Sequence, residues 1–144
     1  MRTPILAALT IAMGLAATVH AADCPKAVTD AIAKAYPGST VGSCVKDDDD
    51  ASILTVTVTK SDKKKLEVDA KADGAIVATE EDVDPSTVPA AVLDAFKKKF
   101  PNAKVTGASK ETETAGGTTY EVLAGRHEAK FKEDGSFVAE EDED

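Results

Sequence analysis

Few folds suit a short chain that repeats itself, and this one repeats an uncommon phrase. YPGSTV at 36–41 returns sixty-four residues later as FPNAKV at 100–105. The match extends both ways. Pro25, Ala27, Val28, Asp30, Ala31 and Lys34 meet Pro89, Ala91, Val92, Asp94, Ala95 and Lys98 at that offset, and Lys46 meets Lys110. Further on, Glu67, Lys71, Asp73, Gly74, Val77 and Ala78 meet Glu128, Lys132, Asp134, Gly135, Val138 and Ala139 at an offset of 61. The three-residue difference falls between TKSDKKK (59–65) and LAGR (123–126), where a hairpin loop can absorb it. Register kept on both sides of such a change is the mark of a duplicated unit. Residues 22–84 and 85–144 are therefore expected to be two copies of one unit.

Each copy reads alike. A proline, Pro25 or Pro89, opens a helix at its first turn, where a missing N–H costs nothing. Val28, Ile32 and Tyr36 recur at helical spacing in one copy, and Val92, Phe96 and Phe100 in the other. Pro37-Gly38 and Pro101-Asn102 then end the helix. Four short strands are predicted after each: 39–46, 52–59, 65–71 and 75–80, then 103–110, 117–123, 127–132 and 136–141. Leu54, Val56 and Val58 alternate with Thr55, Thr57 and Thr59, and KADG and KEDG read as turns into the fourth strand. The expectation is an α+β fold, a tandem repeat of a helix followed by an antiparallel four-stranded unit, with the helices packed on one face of the sheet. A Greek-key sandwich is the alternative, but two proline-led amphipathic helices argue against all-β.

The same alternation predicts a polar face opposite the helices. Thr55, Thr57, Glu67 and Asp69 would line it from the first copy, and Thr119, Glu121, Glu128 and Lys130 from the second. These eight residues are the candidate partner-binding face.

Arg2, an apolar run from Ile5 to Ala17, and VHA at 19–21 have the layout of a secretory signal peptide spanning 1–21. The apolar run falls short of the roughly 20 residues that span a bilayer. Asp23 sits where a lipoprotein signal needs a small residue before Cys24. A soluble periplasmic or secreted protein is expected, with no membrane insertion after cleavage. Of 17 basic and 26 acidic residues, cleavage would remove Arg2 alone and take the net charge from −9 to −10. So negative a chain repels nucleic acid and anionic membrane and suits basic proteins or cations. Export also places Cys24 and Cys44, the two cysteines, in an oxidising compartment, where one disulfide is expected. Closing its loop contributes roughly 3 kcal/mol in the chain-entropy model. One conflict stands: if Val41 and Val45 face the helix, strict alternation turns Cys44 away from Cys24, unless a bulge near Gly42 restores the geometry.

Catalytic residues are not evident. After signal removal one histidine remains, His127, at the start of a strand, where it reads as a surface or edge residue rather than a catalytic base. There is no CxxCH, Gly-rich phosphate loop or HExxH, so no cofactor, metal ligand set or enzymatic role is expected. DDDD at 47–50, EEDVD at 80–84 and EEDED at 140–144 lack the order of an EF-hand and read first as solvated charge. Weak divalent cation binding is their second reading.

The stretch VPAAVLDAFKKKFPNAKV…YEVLAGRHEAKFKEDGSFVAEE at 88–141 resembles the PepSY-like family, whose relatives share the fold of β-lactamase inhibitor proteins. The first copy departs from the pattern: LTVTV at 54–58 stands where YEV would be, and a longer loop follows. The resemblance implies a small exported α+β module that binds or inhibits other proteins, and it brings no catalytic residues. Inhibitors of that fold grip their targets with an aromatic-rich sheet face, whereas this face reads as Thr, Glu, Asp and Lys. The expected function is non-catalytic recognition of a protein or peptide partner, with possible inhibition. The alternative is a cation-responsive (Ca²⁺-type) acidic envelope protein.

Overall fold

The structure, a computed structural model, describes residues 24–48 and 50–142. The expected signal peptide (1–21) and the last two residues of the C-terminal acidic run lie outside them. The elements run α1 (Lys26–Ala35), β1 (Thr40–Lys46), β2 (Ile53–Thr59), β3 (Lys65–Lys71), β4 (Ile76–Asp82), α2 (Ala90–Lys99), β5 (Gly107–Glu113), β6 (Gly117–Ala124), β7 (His127–Lys132) and β8 (Phe137–Asp142). A 3-10 turn, Pro85–Thr87, leads into α2.

The strands form one eight-stranded antiparallel sheet in simple sequence order. This corrects the expectation of a helix and a four-stranded unit repeated in tandem. The fold is α+β only in the broad sense of one large sheet and two helices. β4 and β5 pair continuously from Ala78 opposite Glu113 to Asp82 opposite Ser109, so no boundary divides the sheet. The physical reason is the cost of edges: two separate units would each leave a row of unpaired N–H and C=O groups there. To make this pairing β4 runs to Asp82, and β5 starts at Gly107 rather than near 103. Residues 103–106 instead form a connection anchored by the Ala103 N–H to the Phe100 carbonyl (3.1 Å) and the Thr106 N–H to the Leu123 carbonyl (2.8 Å).

Each helix begins directly after its proline. The Pro25 carbonyl accepts from the Val28 and Thr29 N–H groups, and the Pro89 carbonyl from those of Val92 and Leu93. Val28 and Ile32 of α1 are fully buried against Val56, Val58, Leu66, Val68 and Ala70. Val92 and Phe96 of α2 are buried against Ala108, Tyr120, Val122, Ala129 and Phe131. By strand register these residues all lie on one face of the sheet. Between the two clusters that face is polar, with Thr79 and Glu81 on β4 and Lys110 and Thr112 on β5.

Two glycines fix how closely the helices approach. Gly74 (φ +92°) and Gly135 (φ +84°) sit in the β3–β4 and β7–β8 turns, in the left-handed region. A Cβ would stand 2.5 Å from the Ala27 carbonyl oxygen at Gly74 and 2.6 Å from that of Ala91 at Gly135. Only a residue without a side chain permits a turn so close to helix backbone.

Cys24 and Cys44 are disulfide-bonded, with Cα atoms 5.4 Å apart. The parity conflict disappears because β1 carries a bulge. Val41 lies opposite Val58 and Cys44 opposite Val56, three steps on β1 against two on β2. The extra residue turns Cys44 inward and leaves Val45, expected inside, 45% exposed.

Candidate functional site

The face of the sheet away from the helices carries all eight residues of the predicted partner face. Period-2 alternation sends Thr55 and Thr57 (β2), Glu67 and Asp69 (β3), Thr119 and Glu121 (β6), and Glu128 and Lys130 (β7) to that side. The structure joins the two groups through β4 and β5, from which the sequence reading assigned no residue to this face. Glu80 on β4 and Ser109 and Glu111 on β5 complete the face. One transverse row then reads Thr57, Glu67, Glu80, Glu111, Thr119 across five strands, each residue opposite the next. The row behind it reads Asp82, Ser109, Glu121, Lys130.

Three glutamates opposite one another are mutually repulsive, and the neighbours only partly relieve them. Lys130 forms an ion pair with Glu111, the two side chains only 11% and 21% exposed. Thr119 Oγ1 donates to the same carboxylate at 3.4 Å. Ser109 Oγ, on a residue just 6% exposed, donates to Glu80 Oε1 at 2.9 Å. Thr55 Oγ1 donates to Asp69 Oδ1 at 2.8 Å, and the Ser43 and Thr57 hydroxyls meet at 3.0 Å.

These carboxyls hold their protons unusually well. Burial pushes Glu67 up, and Glu80 and Asp69 add to it. Burial likewise raises Asp69 and Glu80, against the opposing hydrogen bonds from Thr55 and Ser109. Glu121 moves furthest, pushed up to about 8 by burial, by a hydrogen bond with Glu128 and by the charges of Glu128 and Glu80. Glu128 Oε1 is buried and meets no fixed donor. A proton held on Glu121 supplies one.

Over these rows lies a cavity of about 550 Å³, lined by Thr57, Glu67, Glu80, Ser109, Glu121, Leu123 and Glu128 among others. One cavity touched by both β2 and β7 requires the sheet to curve toward its polar side.

The other features singled out in the sequence lie elsewhere. His127 is exposed and stacks on Phe100 at 4.5 Å between ring centroids, at the end of α2. In the 47–50 run, Asp47 Oδ1 accepts from the Asp50 N–H at 2.8 Å, and Asp50 Oδ1 from the Ser52 N–H at 3.0 Å. Those carboxylates shape the β1–β2 turn; Asp49 is outside the described residues. Among the described residues no three His, Cys, Asp or Glu side chains converge as a metal site requires, and no helix is long and apolar enough to cross a membrane.

Glu80 and Glu111 were missed because each reads as part of an acidic or mixed-charge run. The available signal was parity: Ala78 and Glu80 share the side opposite Val77 and Thr79.

No family model matches the chain, and no curated protein matches it. Solved structures do. A protein provisionally assigned to the periplasm, from Bacteroides eggerthii, superposes with a TM-score of 0.71 at 18% identity, over 83% of this chain and 88% of its own. A BLIP-like protein from Bacteroides fragilis gives 0.63 at 24% identity, over 81% and 84%. A DUF2874 family protein from Bacteroides uniformis gives 0.70 at 18% identity, over 82% and 88%. The chain has a BLIP-like fold.

Proposed function

We propose that this is an exported, non-catalytic binding module that recognises a protein or peptide partner on the polar face of its sheet. The observation that carries the reading is the cavity of about 550 Å³ set in that face and lined by half-buried carboxyls. Ligand sites typically occupy clefts of roughly 300–1,000 Å³ with a few converging polar groups. The BLIP-like fold supports a protein partner, and the similarity to a protein provisionally assigned to the periplasm supports export. Polar residues in place of an aromatic floor favour an electrostatically steered contact over a large apolar one.

The test is affinity capture from envelope extract, with the mature chain as bait at low and high salt. A partner retained at high salt, and lost on charge reversal at Glu67 and Glu121, is the expected result. Thr57→Lys, which leaves every carboxyl in place, serves as a second variant should the reversals unfold the sheet. Capture indifferent to all three substitutions would remove this face from the function.

A further inference from the structure

The floor of the cavity is acidic and short of cations. Among the described residues, none of Glu67, Glu80, Glu121 and Glu128 is paired with a lysine or arginine. The nearby cations are engaged or lie outward: Lys130 is held by Glu111 and Lys60 by Glu81, while Lys65 and Arg126 are exposed residues of the lining. Resting on the reading of this face as a partner surface, we propose that the cavity receives an arginine side chain carried on an exposed loop of the partner.

The chemistry of the lining selects that group. A guanidinium is planar, carries five N–H donors and sheds water more readily than an ammonium, so it can serve several carboxyls at once. The carboxyls do not converge three to a point as a metal ion would demand, so a flat, extended cation fits them better. Glu128 Oε1, buried and without a fixed donor, is an acceptor for such a ligand. The volume of about 550 Å³ leaves room for the loop backbone on either side of the side chain.

Occupancy should also move a proton. Glu121 is faced by Glu80 and Asp82 from β4, by Ser109 and Glu111 from β5, and by Glu128 and Lys130 from β7, with Glu67 beyond. The net environment is acidic, and Glu121 holds its proton up to about pH 8. A guanidinium stabilises the ionised form, so binding displaces that proton. Affinity therefore rises with pH while Glu121 is still protonated in the free protein, and levels off once it is ionised.

The experiment is a titration of the purified protein with acetyl-Gly-Arg-Gly-Arg-Gly amide and with the same peptide carrying citrulline, the neutral isostere of arginine. The arginine peptide should bind about tenfold more tightly near pH 8.5 than near pH 6, and the citrulline peptide should bind at neither. Glu128→Gln should weaken binding by about tenfold, while Glu133→Gln, which removes the same charge from the exposed β7–β8 turn, should leave it unchanged. Equal binding of both peptides, equal loss in both variants, or no dependence on pH would overturn the inference. If it fails while reversal at Glu67 and Glu121 still abolishes capture of the partner, the partner face stands without an arginine subsite. If that reversal is silent too, both readings fall.

Discussion

Glu121 on β6 and Glu128 on β7 share a hydrogen bond between two carboxyl groups, which requires a proton on one of them. The proton resides on Glu121, whose pKa is pushed up to about 8, while an unfolded glutamate releases it near the ordinary value of 4.5. Between those values the folded chain binds the extra proton. The resulting stability is fully present below the unfolded value and is lost as pH rises through about 8. Glu67, Asp69 and Glu80 are shifted in the same direction and steepen the trend.

Thermal unfolding should therefore show a melting temperature that falls as pH is raised from about 5 to about 9. Glu121→Gln keeps a donor for Glu128 without an ionisable proton and should flatten part of that slope. After discounting for solvent screening, a gain of about 1 kcal/mol, or roughly 3–6 °C, is expected at the alkaline end, with little change near pH 5. A wild-type melting curve independent of pH across that window would contradict a proton held on Glu121.

Lys130 supplies the cation that makes the glutamate row tolerable. With its partner Glu111 it is largely buried, so Lys130→Met leaves Glu111 unpaired beside Glu80. A loss of about 2 kcal/mol at neutral pH is expected by chemical denaturation, smaller near pH 4.5 where the carboxyls take up protons. The double variant Lys130→Met, Glu111→Met should recover most of it. If the double variant is no more stable than the single, the ion pair is not what restrains the row.

Much of this arrangement was legible in the sequence, and the exceptions share a cause. β2 and β3 alternate cleanly because one side of each packs under α1, so Val56, Val58 and Val68 mark the inward side unaided. β4 and β5 carry no such mark. They lie between the two apolar clusters, and their helix-side positions are Thr79, Glu81, Lys110 and Thr112, as polar as those opposite. Nothing local fixes which side of such strands faces the helices, or where they end. Their place comes from pairing between residues about thirty apart, which no short pattern records. The pairing that joins the two halves was therefore not read from the sequence, and Glu80, near the centre of the sheet, reads there as the acidic end of a unit. The bulge at Gly42 was legible only as a contradiction between the cysteines and the valines, which the structure resolves in favour of the cysteines.

The two turn glycines offer the sharpest test of how the helices are seated. At Gly74 and Gly135 alike, a methyl group would meet helix carbonyl oxygen at a distance that real Cβ atoms do not tolerate, and the positive φ adds strain. Neither obstacle can be relieved by a side-chain rotation, because the atoms in the way are backbone. Gly74→Ala and Gly135→Ala should each cost about 2–4 kcal/mol, more than the roughly 1 kcal/mol of a left-handed turn residue alone. Gly125→Ala is the control: it has φ +65° in the β6–β7 turn but open space around its missing Cβ. It should lose only the conformational part. Equal losses at all three positions, measured by denaturant unfolding, would show that turn strain alone sets the cost and that the helices can yield.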